Sequence, residues 1–209
     1  MSVLNQIAFF QSRRDEAPNQ ALAKELAKRK DKKGIREIAD NLWNKNKDIQ
    51  SDCLKVLYEV GALNPELIAD YVGDFLKLLK SKNNRLVWGS MTALTALAEI
   101  RADEIYKHFA DLTEAMEKGS VITVDNGVKA LALVASKKDM YRRKLFPYLL
   151  KHLETCRPKD VPQHAEKTLP AVNRSNQVEF MAVLNKRMTD MTGSQVTRVR
   201  KVIREAEKR

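Results

Sequence analysis

The sequence predicts an all-α protein assembled from tandem helix pairs, and three observations carry that reading. Glycine (7) and proline (6) are scarce in 209 residues, which leaves little room for the turns a strand-rich chain needs. Apolar residues make up 44% and charged residues 31%, the balance of a folded chain rather than a disordered one. The third observation is an internal repeat. Aligning CLKVLYEVG, SMTALTALAEI, GVKALALVAS, AEKTLPAV and RVRKVIREAE places Leu57, Leu94, Leu131, Leu169 and Ile203 in one column, at steps of 37, 37, 38 and 34 residues. Val60, Leu97, Val134, Val172 and Ala206 form a second column with the same steps. Two apolar columns three residues apart make one buried helix face.

Residues 1–33 stand outside this register. A short apolar helix over 3–10, an N-cap near Asn19 and a Lys-rich helix reaching Lys33 are expected there, as an N-terminal capping segment. Five further segments with helical apolar spacing lie between the aligned ones. They are marked by Ile35, Ile38 and Leu42; by Leu67, Tyr71, Phe75 and Leu78; by Ile105, Phe109, Leu112 and Met116; by Leu145, Leu149 and Leu153; and by Phe180, Leu184, Met188 and Met191. Each repeat is therefore a helix pair. Asp48, Asn64 before Pro65, Ser120, Asp160 and Ser194 are expected N-caps, and Gly61 and Gly119 sit where helices should stop. The β-branched run 121–124 opens a helix poorly, so a short strand is the alternative there. With no linker in view, the expectation is one domain over 1–209, made of the cap at 1–33 and five pairs over 34–207.

Pairs of about 37 residues with a two-column second helix, and a proline inside one first helix at Phe146-Pro147-Tyr148, resemble HEAT repeats over residues 34–207. The resemblance implies a HEAT or armadillo-like α-solenoid, a right-handed α-α superhelix of about five pairs with the second helices lining a concave face. Stepping with the register then places Ser51, Trp88, Asp125, Gln163 and Thr197 in one concave row. One turn on comes the row Lys55, Thr92, Lys129, Lys167 and Lys201. Four of these five are lysines, a ladder suited to an extended acidic partner, although a solvated helix face has the same composition. Trp88 stands out, because a tryptophan on an open face lowers solubility unless it binds something or packs under a neighbour.

Charge divides unevenly. Residues 1–136 hold 20 Lys and Arg against 19 Asp and Glu, so the last 73 carry 18 against 8. Arg142, Arg143, Lys144, Arg198, Arg200 and Arg204 could grip a phosphate backbone there, or could merely solubilise the end of the array. A looser likeness, to HEAT-like DNA alkylation-repair glycosylases, rests on chain length, charge and architecture, with Trp88 and Asp125 one repeat apart in the same row. It implies nucleic-acid binding, with Asp125 stabilising a cationic sugar.

Other chemistry finds little footing. His152 and Cys156, four apart, with His164 beyond, have part of a zinc ligand set, but no paired spacing completes it. A packed cysteine with solvated histidines and no metal is expected. No phosphate-binding loop, serine-hydrolase or zinc-protease motif occurs, so neither an enzyme nor a cofactor is expected. The longest apolar run, 130–135, is far short of the roughly 18 residues of a membrane span. Two cysteines without a C-x-x-C pair, and an N-terminus whose basic pair Arg13-Arg14 follows its apolar stretch, predict a cytoplasmic setting. The leading expectation is a non-catalytic scaffold that binds an acidic or amphipathic protein segment, and the second is a nucleic-acid binder.

Overall fold

The apolar periodicity emerges as helices throughout. A computed structural model describes residues 2–209, and within them twelve α-helices and five short 3-10 segments follow one another without a strand. The helices are α1 (Ala17–Arg29), α2 (Lys32–Asp40), α3 (Lys47–Leu63), α4 (Val72–Leu78), α5 (Asn84–Leu97), α6 (Ala102–Lys107), α7 (Phe109–Lys118), α8 (Val121–Lys137), α9 (Asp139–Thr155), α10 (Val161–Thr168), α11 (Gln177–Arg187) and α12 (Gly193–Ala206). No helix among the described residues is long and apolar enough to cross a membrane. Contacts divide the chain into two compact units, one ending at Gly127 and the other running from Val128 to Arg209.

In the first unit α3 is the axis of the core. Ile49, Cys53, Leu54, Val56, Leu57, Tyr58 and Val60 are all buried, so this helix is covered on more than one side, as an element packed against α1, α2 and α5 must be. A Cβ on Gly89 of α5 would lie 2.7 Å from Leu54, which is how closely α3 and α5 approach. Gly61, expected to stop a helix, instead lies buried inside α3, where a Cβ would come within 2.4 Å of Ile68.

Helix starts follow local chemistry that only partly matches the expected caps. Asn46, not Asp48, caps α3, its Oδ1 accepting from the N–H groups of Asp48 and Ile49 at 2.8 and 3.4 Å. The run 121–124 is helical, and Ser120 Oγ accepts from the Thr123 N–H at 3.4 Å. The N-terminal segment departs most from expectation. Residues 4–6 form only a 3-10 turn, Pro18 sits in the first turn of α1, and Asn19 lies buried inside that helix. Asn19 Oδ1 accepts from the Ala8 N–H at 2.9 Å, and its Nδ2 donates to Asp52 at 2.8 Å, which fastens the segment to α3. The Lys-rich helix breaks at Lys30, whose φ of 51° is left-handed, and Asp31 caps a new helix through the Gly34 N–H.

In the second unit Pro147 lies inside α9, while α10 gives way to a 3-10 turn at Leu169, next to Pro170, which has no N–H to continue the ladder. Thr192 and Gln195, rather than Ser194, open α12 with a reciprocal capping box. The repeat columns survive with one exception. Leu57, Leu94, Leu131 and Leu169, with Val60, Leu97, Val134, Val172 and Ala206, are buried, whereas Ile203 is half-buried because α12 turns Val199, Val202 and Ala206 inward. The last step is the shortest of the four, and a one-residue shift rotates a helix face by about 100°.

Candidate partner-binding groove

The first unit carries two adjoining concavities that share Asp48, Ser51 and Arg85 in their walls. The first, about 690 Å³, lies over α3 and α5. Trp88 stands half-buried at its side against Tyr58, with ring centroids 5.8 Å apart and tilted by 55°. Its far wall is the N-terminal segment. The Phe9 N–H donates to Asp52 Oδ2 at 2.8 Å, and Phe9 meets Phe10 edge-on at 5.1 Å with both rings partly exposed. Ser12, left-handed at φ 53°, turns the chain so that Arg13 and Arg14 reach the same space. The second concavity, about 890 Å³, runs past the N-terminal ends of α3 and α5 to Trp43. Trp43 is 51% exposed, and its Nε1–H donates to Asp74 at 3.3 Å.

Charge around this groove sorts into paired and unpaired groups. Lys55 is buried, 2.8 Å from Glu16 and 2.7 Å from Glu59, with its ammonium 4.9 Å from the Tyr58 ring centroid. Burial pulls its pKa down, but the two carboxylates more than reverse that and hold the amine above its ordinary value. Asp15 is paired with Arg13, and Asp52 is spent on Phe9 and Asn19. Arg14, Lys47, Lys77, Lys82 and Arg85 make no ion pair among the described residues. The N-terminal ends of α3 and α5 add the positive ends of two helix dipoles to the same edge.

The expected partner-binding residues differ in burial and in the partners they already have. Ser51, Lys55 and Trp88 do come together in the groove, but Lys55 is committed to its two carboxylates. Thr92 is half-buried and structural, donating to the Trp88 carbonyl at 2.8 Å and accepting from Asn126 Nδ2 at 3.1 Å. Asp125 is half-buried on α8. In the second unit Lys129 and Lys201 are exposed, while Gln163 and Lys167 are half-buried. The lysines of the ladder therefore do not share one environment. Among the basic residues proposed for phosphate, Arg142 pairs with Asp139, and Arg198 forks onto Glu166 at 2.6 and 2.5 Å. Arg143, Lys144, Arg200 and Arg204 remain exposed. The sequence reading missed Tyr58, Arg85 and the N-terminal wall. Arg85 could have been found, because it lies three residues from Trp88 on one helix face.

No known family model matches the sequence, and no curated protein matches it. Solved structures do. An engineered protein is similar over 100% of this chain and 98% of its own, with a TM-score of 0.67 at 18% identity. A designed armadillo repeat protein in complex with the peptide (KR)4 is similar over 90% of this chain and 86% of its own, with a TM-score of 0.69 at 13% identity. The fold is an armadillo/HEAT-type helical repeat. Kap121p shares this armadillo/HEAT-type fold over 96% of the present chain, which spans 22% of that protein, with a TM-score of 0.65 at 14% identity.

Proposed function

We propose that this armadillo/HEAT-type chain is a non-catalytic scaffold whose first unit holds an acidic, extended segment of a protein partner in the groove between Trp88 and Trp43. The observation that carries the reading is the imbalance of uncommitted charge beside two tryptophans. Five lining cations have no ion partner among the described residues, while Asp48 is the one lining carboxylate there without a hydrogen-bond or ion partner. A segment with an aromatic or aliphatic residue flanked by Asp or Glu suits this lining, with the apolar side chain against Trp88 and Tyr58 and the carboxylates towards Arg85, Arg14 and Lys82. The designed armadillo protein in complex with (KR)4 is a precedent for a peptide on this fold, and the cationic lining here calls for the opposite charge. The aromatic anchors favour a protein segment over a bare phosphate backbone.

Tryptophan fluorescence titration with a Glu-rich peptide containing one Leu or Phe tests this, with (KR)4 and duplex DNA as competitors. Saturable binding of the acidic peptide, weakened by Trp88→Ala and by Arg85→Glu and absent for (KR)4, is expected. No binding of the acidic peptide, or tighter and steeply salt-dependent binding of DNA, removes the reading in favour of a nucleic-acid ligand.

A further inference from the structure

The turn between α9 and α10 gathers three side chains that ligate transition metals. His152 lies in the last turn of α9, Cys156 follows directly after that helix ends, and His164 lies on α10. Their ligand atoms all lie within 4.8 Å of one another. His152 Nε2 and His164 Nδ1 are 2.9 Å apart, with ring centroids separated by 4.9 Å. The Cys156 N–H still bonds the His152 carbonyl at 2.8 Å, so the helical spacing of four persists and brings thiol and imidazole to one side. His164 is only 3% exposed, not solvated as the sequence suggested, and His152 and Cys156 are half-buried. The cluster is thus sheltered but open on one side.

We propose that His152, Cys156 and His164 form a zinc site with its fourth coordination position open to water. A thiolate and two imidazoles are the borderline-to-soft donors that select Zn²⁺ over Mg²⁺ or Ca²⁺. Zinc bonds of roughly 2.0–2.1 Å to nitrogen and 2.3 Å to sulfur set the ligand atoms about 3.3–3.6 Å apart. The two nitrogens therefore separate slightly and the sulfur closes in, changes within the reach of side-chain torsions. Both imidazoles bind neutral. The proton shared between them moves to a ring nitrogen facing away from the metal, and the thiol proton leaves to solvent.

Neighbouring groups hold the cluster in place. Arg187, itself buried, donates to the carbonyls of Leu153 and Cys156 at 2.5 and 2.8 Å, which holds the end of α9 and with it Cys156. Its positive charge favours the thiolate, while Asp190 at 3.0 Å balances it against the incoming metal. The negative end of the α9 dipole points at the same place.

The full-length chain, stripped with a chelator, is titrated with Zn²⁺ and separately with Co²⁺. One equivalent per chain is expected, with a thiolate-to-cobalt charge-transfer band and no comparable affinity for Mg²⁺. Cys156→Ser and His152→Gln should each weaken Zn²⁺ binding by more than about 100-fold, beyond the scale that outer-shell changes reach. Cys156→Ser should also abolish the band, while Cys53→Ser leaves both readings unchanged. Absence of the charge-transfer band in the unaltered chain at one equivalent of Co²⁺ would overturn the site without reference to any variant. So would Zn²⁺ affinity that is the same in Cys156→Ser and His152→Gln as in the unaltered chain.

Discussion

Lys55 Nζ lies 2.8 Å from Glu16 Oε2, which ties the middle of α3 to the residue that opens α1. Lys55 is nearly buried, but Glu16 is more than half exposed and can rehydrate when its partner is lost. Lys55→Met is therefore expected to lower stability by only about 1–2 kcal/mol, below the cost of breaking a fully buried pair. Because the N-terminal segment leads into this bond, trypsin should cut faster after Arg13 and Arg14 in the variant. Urea denaturation and timed proteolysis check both expectations.

The repeat columns make a graded prediction about the core. Leu94 is fully buried, so Leu94→Ala should cost about 2–5 kcal/mol. Ile203 is half-buried, and Ile203→Ala should cost about 1 kcal/mol. Equal losses in chemical denaturation would place Ile203 in the core after all.

Asp111 accepts from His108 at 2.8 Å and pairs with Lys80 at 2.9 Å. His108 first and Lys80 next hold its carboxyl below the usual value, against a smaller opposing effect of burial. A pKa lowered by folding stabilises the protein fully above the unfolded value, near pH 4, and the contribution disappears as pH falls through the folded value. Asp111→Asn should thus lose about 1 kcal/mol at pH 7, and the difference from the unaltered chain should shrink as the pH falls below about 4, read as melting temperature against pH.

The two cysteines should differ in reactivity. Burial, with Asp52 and Glu37 adding to it, pushes the Cys53 thiol up to about 12, so iodoacetamide should leave it unlabelled in the folded chain at pH 7.5. Cys156 is also raised by burial, but it is half-buried and should label slowly. Mass spectrometry of the alkylated chain distinguishes them, and labelling of Cys53 before Cys156 would contradict this placement.

Arg187 bridges α11 to the end of α9 through two carbonyls. Arg187→Ala removes the guanidinium from both, leaving the Leu153 carbonyl only the weak Cys156 thiol at 3.9 Å, and should lower stability by about 2–4 kcal/mol. Arg187→Lys should recover only part, because one ammonium cannot reproduce the planar fork. Thermal melts of the two variants give the comparison.

Much of the fold was legible because helical periodicity is a property of short stretches of chain. Leu57, Leu94 and Leu131 share a column since each repeat must bury the same face, whatever its neighbours are. Caps were legible less often. Asn46 and Asp48 carry the same kind of acceptor, and only backbone geometry chooses between them. The groove was half legible. Trp88 and Ser51 follow from the register, but Phe9 and Arg14 reach the same space through contacts that skip dozens of residues, such as Asn19 with Asp52.

By itself the sequence determined that the chain is helical, that its helices come in pairs, and which leucines and valines face inward. Those follow from the spacing of apolar residues along a rod of fixed pitch. Tertiary structure alone decided which polar groups remain for a partner. Lys55 and Arg198 look like free cations until folding brings Glu16 and Glu166 to them, and His152 and His164 meet only when the chain turns between α9 and α10. The energy of a charge or a ligand atom depends on what lies within a few ångströms of it, and in a repeat fold those neighbours come from distant positions in the chain.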